Sequence, residues 1–107
     1  MEPNSRNNND FRAQVERFMA QVPVGHVTTY GDLAALAGHP YAARIVGGMA
    51  HHGDPELPWH RLVNRFGRLA AGYHGGRRTQ AEHLAAEGIT CTNDIVDNFE
   101  ELRWRPL

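Results

Sequence analysis

Residues 29–50 read TYGDLAALAGHPYAARIVGGMA, and this stretch decides the fold. Its first four residues form a variant of the capping box, which predicts a helix that runs to Ala37. Gly38 suits the left-handed position that ends a helix, and Pro40 suits the first turn of the next one. We therefore expect a second helix from about Tyr41 to Ala50 and, with the tight connection between them, a helix-turn-helix.

Another helix is predicted ahead of this unit. Its apolar residues recur at helical spacing and should form core: Phe11, Val15, Phe18, Met19 and Val22. Asn9 or Asp10 can cap this helix, and Pro23 ends it. We expect the polar residues 1–9 to be disordered, which leaves 10–107 as a single domain.

The second half of the chain is predicted to be loops, short strands and one more helix. Proline and glycine make residues 53–60 a rigid loop, and NRFG at 64–67 is typical of a hairpin turn between short strands. GYHGG at 72–76 is a loop that lets the backbone approach a ligand closely. TQAE at 79–82 is a capping box for a helix that Gly88 ends, which places Glu87 in its last turn.

These elements predict a mainly α protein with a small β hairpin, built as one helix-turn-helix domain of winged-helix-like type. Helical hairpins of this size also occur in proteins that never touch DNA, so the pattern alone leaves the function open. No run approaches the roughly 18 apolar residues of a membrane span, and the first ten residues are too polar for a secretory signal. We expect a soluble, cytoplasmic protein without a membrane partner.

The charge is segregated along the chain. The net charge is -1, which argues against a protein that coats nucleic acid through bulk electrostatics. Residues 33–81 nevertheless carry six arginines and two acids, whereas the flanks carry five arginines and ten acids. Any positive face is therefore local. All eleven cationic residues are arginines, which suits contact with phosphate or base edges, although coding bias explains it equally well.

The cysteine and histidine pattern predicts neither a disulfide nor a metal site. Cys91 is the single cysteine, and the seven histidines lack a recognisable metal-ligand spacing. His51, His52 and His60 can be imagined as ligands, but adjacent side chains diverge on a helix or strand. We expect no metal and no cofactor.

Five motifs carry a resemblance to a known family. They are TTYGDLA at 28–34, AARIVGG at 42–48, PWHR at 58–61, GYHGG at 72–76 and LAAEG at 84–88. In order and spacing they resemble the DNA-binding and active-site domain of O6-alkylguanine-DNA alkyltransferases, whose active-site sequence is Pro-Cys-His-Arg. In this chain Trp59 occupies the position of the acceptor cysteine. That departure is similar to alkyltransferase-like proteins, which bind alkylated guanine without removing the alkyl group and flag the lesion for nucleotide excision repair.

The resemblance implies which residues touch DNA. Tyr30 matches a tyrosine that pushes on the phosphate backbone while a nucleotide rotates out, and Arg44 matches an arginine that enters the stack in its place. The helix that carries Arg44 is then a recognition helix in the minor groove. The implied DNA-binding residues are Tyr30, Arg44, Thr29, Tyr41, Ala43 and Gly47, and the implied lesion pocket comprises Trp59, Val63, Tyr73, His74 and Gly75. Without the resemblance, Arg44 is better read as an exposed helix arginine. The alternative for Tyr30 is a core tyrosine, which needs a buried partner for its hydroxyl.

His60 and Glu87 match a histidine and a glutamate that deprotonate the acceptor cysteine in the enzymes. An indole offers no electron pair comparable to a thiolate, so Trp59 removes that chemistry, and we expect His60 and Glu87 to persist as a structural pair. The predicted function is a non-enzymatic monomer that flips O6-alkylguanine out of double-stranded DNA and recruits excision-repair proteins. The alternatives are a residual enzyme, using either His60 with water or Cys91, and a sequence-specific helix-turn-helix regulator.

Overall fold

The computed structural model describes residues 3–106, with side chains from residue 10 onward. Five helices are present in the described part of the chain: α1 (Pro3–Gln21), α2 (Tyr30–Leu36), α3 (Ala43–His51), α4 (Gly76–Ala85) and α5 (Phe99–Leu102). Four two-residue strands accompany them: β1 (Thr28–Thr29), β2 (Leu62–Val63), β3 (Cys91–Thr92) and β4 (Ile95–Val96). The predicted class, mainly α with a small β hairpin, is confirmed.

The helix-turn-helix forms as predicted in its first half. The Thr29 side chain accepts a hydrogen bond from the Asp32 backbone N–H and caps α2, and Gly38 adopts a φ of +93° just past its end. The second helix begins later than predicted. Ala42 N–H donates to the His39 carbonyl oxygen at 3.0 Å, so Pro40 and Tyr41 belong to the connecting turn.

Helix α1 begins earlier than the predicted cap at Asn9 or Asp10. It starts at Pro3, a residue favoured at the first helical position, and the backbone of residues 3–9 is helical where disorder was predicted. Met1 and Glu2 lie outside the described residues.

The predicted hairpin around 64–67 is wrong in its strand pairing. The turn itself exists, since Gly67 N–H donates to the Asn64 carbonyl oxygen at 2.9 Å. The strand before it, β2, pairs in parallel with β1, however, and both are buried. The hairpin of the fold is β3–β4, where Asn93 and Asp94 both take positive φ, as a two-residue type I′ turn requires.

Helix α4 begins three residues before the predicted capping box. Gly75, at a φ of +92°, lets the chain enter the helix at Gly76, and the Thr79 hydroxyl donates back to the Gly75 carbonyl oxygen at 2.9 Å. Thr79 is therefore inside the helix. Gly88 takes a φ of +84°, and Glu87 lies just beyond the end of α4, not in its last turn as predicted, because the helix already ends at Ala85.

Two apolar clusters form the core. One joins α1, α2 and α3 around Val15, Met19, Leu33 and Val46, and the other joins β2, α4 and the C-terminal hairpin around Val63, Leu84 and Val96. The C-terminal tail closes on the start of the helix-turn-helix. Leu102 and Trp104 exchange backbone hydrogen bonds with Val27, and the Arg103 guanidinium bonds both carboxylate oxygens of Asp32 at 2.7 and 2.8 Å.

No helix in the described part of the chain is both long and apolar enough to cross a bilayer.

Candidate functional site

An open cavity of about 1030 Å³ lies between the helix-turn-helix and α4. Its walls come from α2, α3, the loop over 53–58, the 3₁₀ turn Trp59–Arg61, the loop over 70–74 and α4. Of the predicted pocket residues, Trp59, Tyr73 and His74 line it. Val63 and Gly75 do not. Val63 is fully buried in the second core cluster, because its strand pairs with β1, and Gly75 is turned into the start of α4.

Trp59 is held in the cavity wall by the loop that precedes it. Its indole N–H donates to the Asp54 carbonyl oxygen at 2.8 Å. Gly53 is in direct contact with the ring: a Cβ at that position would lie 2.5 Å from Cζ2 of Trp59. A large aromatic side chain is therefore held in one orientation at the position where the enzymes of the family named above carry a thiol.

Next to Trp59, the predicted pair of His60 and Glu87 is formed and is joined by Arg61. His60 Nε2 lies 2.7 Å from Oε2 of Glu87, and the Arg61 guanidinium donates to both oxygens of the same carboxylate at 2.9 and 2.7 Å. A further N–H of Arg61 donates to the Val22 carbonyl oxygen. The hydrogen bonds from Arg61, followed by those from His60, lower the pKa of Glu87 from the usual 4.5 to about 2.

Sequence reasoning missed Gln80. This side chain is fully buried, and its amide joins three segments: Nε2 donates to the carbonyl oxygens of His60 and Leu62, and Oε1 accepts from Ala70 N–H at 2.8 Å. It therefore fixes the backbone on two sides of the cavity. A buried glutamine on a helix belongs to no motif, so no sequence pattern indicates it.

His83 was also missed. It projects from α4 into the cavity wall, where its Nδ1 lies 2.6 Å from the Tyr73 hydroxyl. Across the mouth of the cavity, His51 at the end of α3 stacks on His74 with ring centroids 6.0 Å apart. These contacts tie the loop that carries Tyr73 to α3 on one side and to α4 on the other.

The residues predicted to touch DNA occupy two different environments. Tyr30 and Gly47 line the cavity, and a Cβ on Gly47 would lie 3.8 Å from the Tyr30 ring. Burial raises the pKa of Tyr30, so its phenol stays neutral. Thr29 is buried and engaged in capping α2, so it positions Tyr30 and cannot itself reach a ligand.

Arg44 lies on the exposed side of α3, and no hydrogen bond or ion pair joins it to another described residue. Tyr41 is 100% exposed in the turn that precedes the same helix, and Ala43, the first residue of the helix, is partly exposed. Ile45, which no sequence motif singled out, is 58% exposed. This surface combines one unpaired guanidinium with large apolar side chains, which is the chemistry that enters a minor groove.

Cys91 is not placed for chemistry. It lies on β3, outside the cavity, and burial together with the nearby Asp97 and Asp94 raises the pKa of its thiol. Among residues 3–106, no group of three or more histidine, cysteine or acidic side chains could hold a metal ion.

Residues 10–89 match the 6-O-methylguanine DNA methyltransferase, DNA-binding domain, family. The chain belongs to this family. Within it, a DNA base-flipping protein of Escherichia coli (strain K12) is 44% identical over 98 residues, which cover 88% of this chain and 74% of that protein. Alkyltransferase-like protein 1 of Schizosaccharomyces pombe is 33% identical over 104 residues, covering 91% and 96%.

Solved structures of family members share the fold. The S. pombe alkyltransferase-like protein in complex with damaged DNA containing O6-carboxymethylguanine superposes with a TM-score of 0.78 at 33% identity, covering 92% of this chain and 97% of that one. Mycobacterium tuberculosis OGT in complex with DNA gives a TM-score of 0.67 at 32% identity, over 74% of this chain and 49% of that one. The fold and the family resemblance deduced from the sequence are therefore confirmed.

Proposed function

We propose that this protein binds double-stranded DNA that contains O6-alkylguanine, rotates the damaged nucleotide into the cavity beside Trp59, and leaves the alkyl group in place. The observation that carries the proposal is the geometry of Trp59. Its indole lines the cavity and is fixed by the Asp54 carbonyl and by Gly53, so the residue at the acceptor position supplies an aromatic wall.

Extrusion of a base costs a few kcal/mol, less for a weakly paired damaged base, and the protein must offset that cost. Arg44 has no partner among the described residues and fills the vacated space in the stack, where its guanidinium lies between bases while its charge offsets phosphate. Tyr30 stands at the N-terminus of α2, where backbone N–H groups and the phenol meet the phosphate of the rotating nucleotide.

The absence of alkyl transfer follows from the side chains at the site. His60 already shares Glu87 with Arg61, which is the arrangement of a structural pair, and the thiol of Cys91 lies outside the cavity with its pKa raised. Both features disfavour the residual-enzyme alternative. The cavity and its fixed tryptophan disfavour the sequence-specific regulator, because reading an intact duplex needs no base-sized pocket.

We further propose that the bound protein marks the lesion for nucleotide excision repair, as a monomer acting in the cytoplasm at the nucleoid. If a protein binds a lesion without repairing it, other enzymes must remove the lesion. Excision repair is the class of reaction that removes a nucleotide regardless of its alkyl group.

The test is a competition by fluorescence anisotropy at one stated salt concentration, with an O6-methylguanine duplex against the identical undamaged duplex. We expect tighter binding of the lesion duplex, and a loss of at least tenfold in that affinity for Arg44→Ala. Arg12→Ala, which removes an exposed guanidinium from α1, is the matched control and should bind as the wild type does. Mass spectrometry after incubation must find neither a methylated protein nor unmodified guanine. Equal affinity for the two duplexes would refute lesion recognition.

A further inference from the structure

The hydrogen bond between Tyr73 and His83 sets the chemical character of one wall of the cavity. The Tyr73 hydroxyl oxygen lies 2.6 Å from Nδ1 of His83, and both side chains line the cavity. The two rings meet edge to face at 5.7 Å, and the His60 ring stands edge-on to His83 at 6.0 Å. Tyr73 is therefore held by α4 as well as by its own loop.

Only one proton is available on the Tyr73 hydroxyl, and its direction decides what the hydroxyl offers to a ligand. Burial raises the pKa of Tyr73, so the phenol keeps that proton. A phenol O–H is a stronger donor than a neutral imidazole N–H, and a neutral imidazole ring has one nitrogen that accepts. His83 is exposed to solvent, so the tautomer that carries its hydrogen on Nε2 can direct that hydrogen to solvent and accept from the Tyr73 hydroxyl through Nδ1. The hydroxyl then presents lone pairs alone to the cavity.

Alkylation at O6 changes which groups of guanine can meet those lone pairs. The N1 position loses its hydrogen, so the amino group at C2 is the remaining N–H donor on the pairing edge of the base. A hydroxyl that accepts matches that amino group, whereas a hydroxyl that donates matches the unprotonated ring nitrogens.

We propose that His83 is a specificity-determining residue of the cavity: by accepting a hydrogen bond from the Tyr73 hydroxyl, it leaves the hydroxyl oxygen to act as an acceptor and selects alkylated purines that carry an amino group at C2. This inference rests on the proposed function, since it concerns the base that the cavity receives. His83 acts through Tyr73 and is in that sense a positioning residue.

The test compares two duplexes that differ by the C2 amino group alone, one with O6-methylguanine and one with O6-methylhypoxanthine at the same position. For the wild type we expect the amino-bearing lesion to bind about five- to tenfold more tightly, the range of one neutral hydrogen bond in a site shielded from water. In His83→Leu the hydroxyl is free to turn its proton into the cavity, so this ratio should fall about five- to tenfold below that of the wild type. The cost of unpairing each duplex is the same for both proteins and cancels when their ratios are compared.

Tyr73→Phe provides the second arm, because it removes the hydroxyl itself. It should abolish the preference as His83→Leu does, and the double variant should add nothing further to the loss. If His83 were merely structural, His83→Leu would weaken both duplexes equally and leave their ratio at the wild-type value, which overturns the inference. That result would leave the proposed function standing, whereas failure of the wild type to favour either lesion duplex over undamaged DNA would remove both.

Discussion

Replacement of Glu87 by glutamine tests how much the ionic contacts of Glu87 with Arg61 and His60 stabilise the domain. The change keeps the shape of the side chain and removes its charge. The carboxylate accepts two hydrogen bonds from Arg61 and faces His60 at 2.7 Å, and its side chain is 15% exposed. In the variant, the Arg61 guanidinium, which is 12% exposed, loses its counter-charge.

The size of the effect follows from the pKa of Glu87, which lies at about 2 in place of the usual 4.5. That difference corresponds to roughly 3 kcal/mol between the ionised and neutral forms. Water at the open mouth of the cavity weakens the interaction, so we expect Glu87→Gln to lower the free energy of unfolding by about 2 kcal/mol at pH 7. For a domain of this size the melting temperature should fall by roughly 10 °C.

The pH dependence has a defined sign. Because the folded-state pKa is lowered, the stabilisation is complete above about pH 4.5 and is lost as the pH falls from there toward 2. Thermal unfolding followed by circular dichroism at a series of pH values should therefore show the wild type and Glu87→Gln converging in acid. Glu82→Gln is the matched control. It makes the same substitution on α4 at an exposed pair with Arg78, and it should change stability by less than 0.5 kcal/mol. A Glu87→Gln variant as stable as this control at pH 7, or one whose deficit is as large at pH 2.5 as at pH 7, would refute the reasoning.

Three further substitutions probe the supports of the site. Gln80→Leu leaves the buried Ala70 N–H without its acceptor and two carbonyl oxygens without their donor, and should cost about 3 kcal/mol in chemical denaturation; a loss under 1 kcal/mol would contradict this role. Gly53→Ala forces a Cβ into the Trp59 ring, so the Trp59 indole N–H signal should move in a ¹H–¹⁵N spectrum, while Gly48→Ala, with open space around it, should leave the signal in place. Arg103→Leu breaks the double hydrogen bond to Asp32 and should lower stability by about 1 to 2 kcal/mol. It should also lower the affinity for lesion DNA, and an unchanged affinity would show that the tail does not affect the position of Tyr30.

The sequence predicted the helix-turn-helix because its signals are local. Thr29 and Asp32 are three residues apart, and Gly38 needs nothing beyond its own backbone freedom to end α2. The tight turn at 64–67 was equally readable from local signals, but its strand pairing was not. Val63 pairs with Thr29, and the spacing of residues in the turn carries no information about a partner so distant in the sequence.

The site was predicted as a set of matched positions, not as a geometry. The resemblance named Trp59, His60 and Glu87, and the structure brings these three together. It could not show that Val63 faces the core. Nor could it find Gln80 or His83, because their roles arise from contacts across loops that carry no motif. The start of α4 was misplaced for a similar reason. Residues 79–82 match the capping-box pattern, although Thr79 lies inside the helix, and no sequence pattern indicates the positive φ of Gly75 where the helix begins.

The pair of Asp32 and Arg103 joins residues 71 positions apart, and this separation bears on the order in which the molecule folds. Contacts between distant parts of a chain form late, since the entropy of a long loop is lost before the contact stabilises anything. The helix that presents Tyr30 is built from local signals and can form early, but it is anchored only once the opposite end of the domain has docked. We therefore expect amide hydrogen exchange at the start of α2 to report on docking of the tail, because the orientation of Tyr30 becomes fixed only when the whole domain closes.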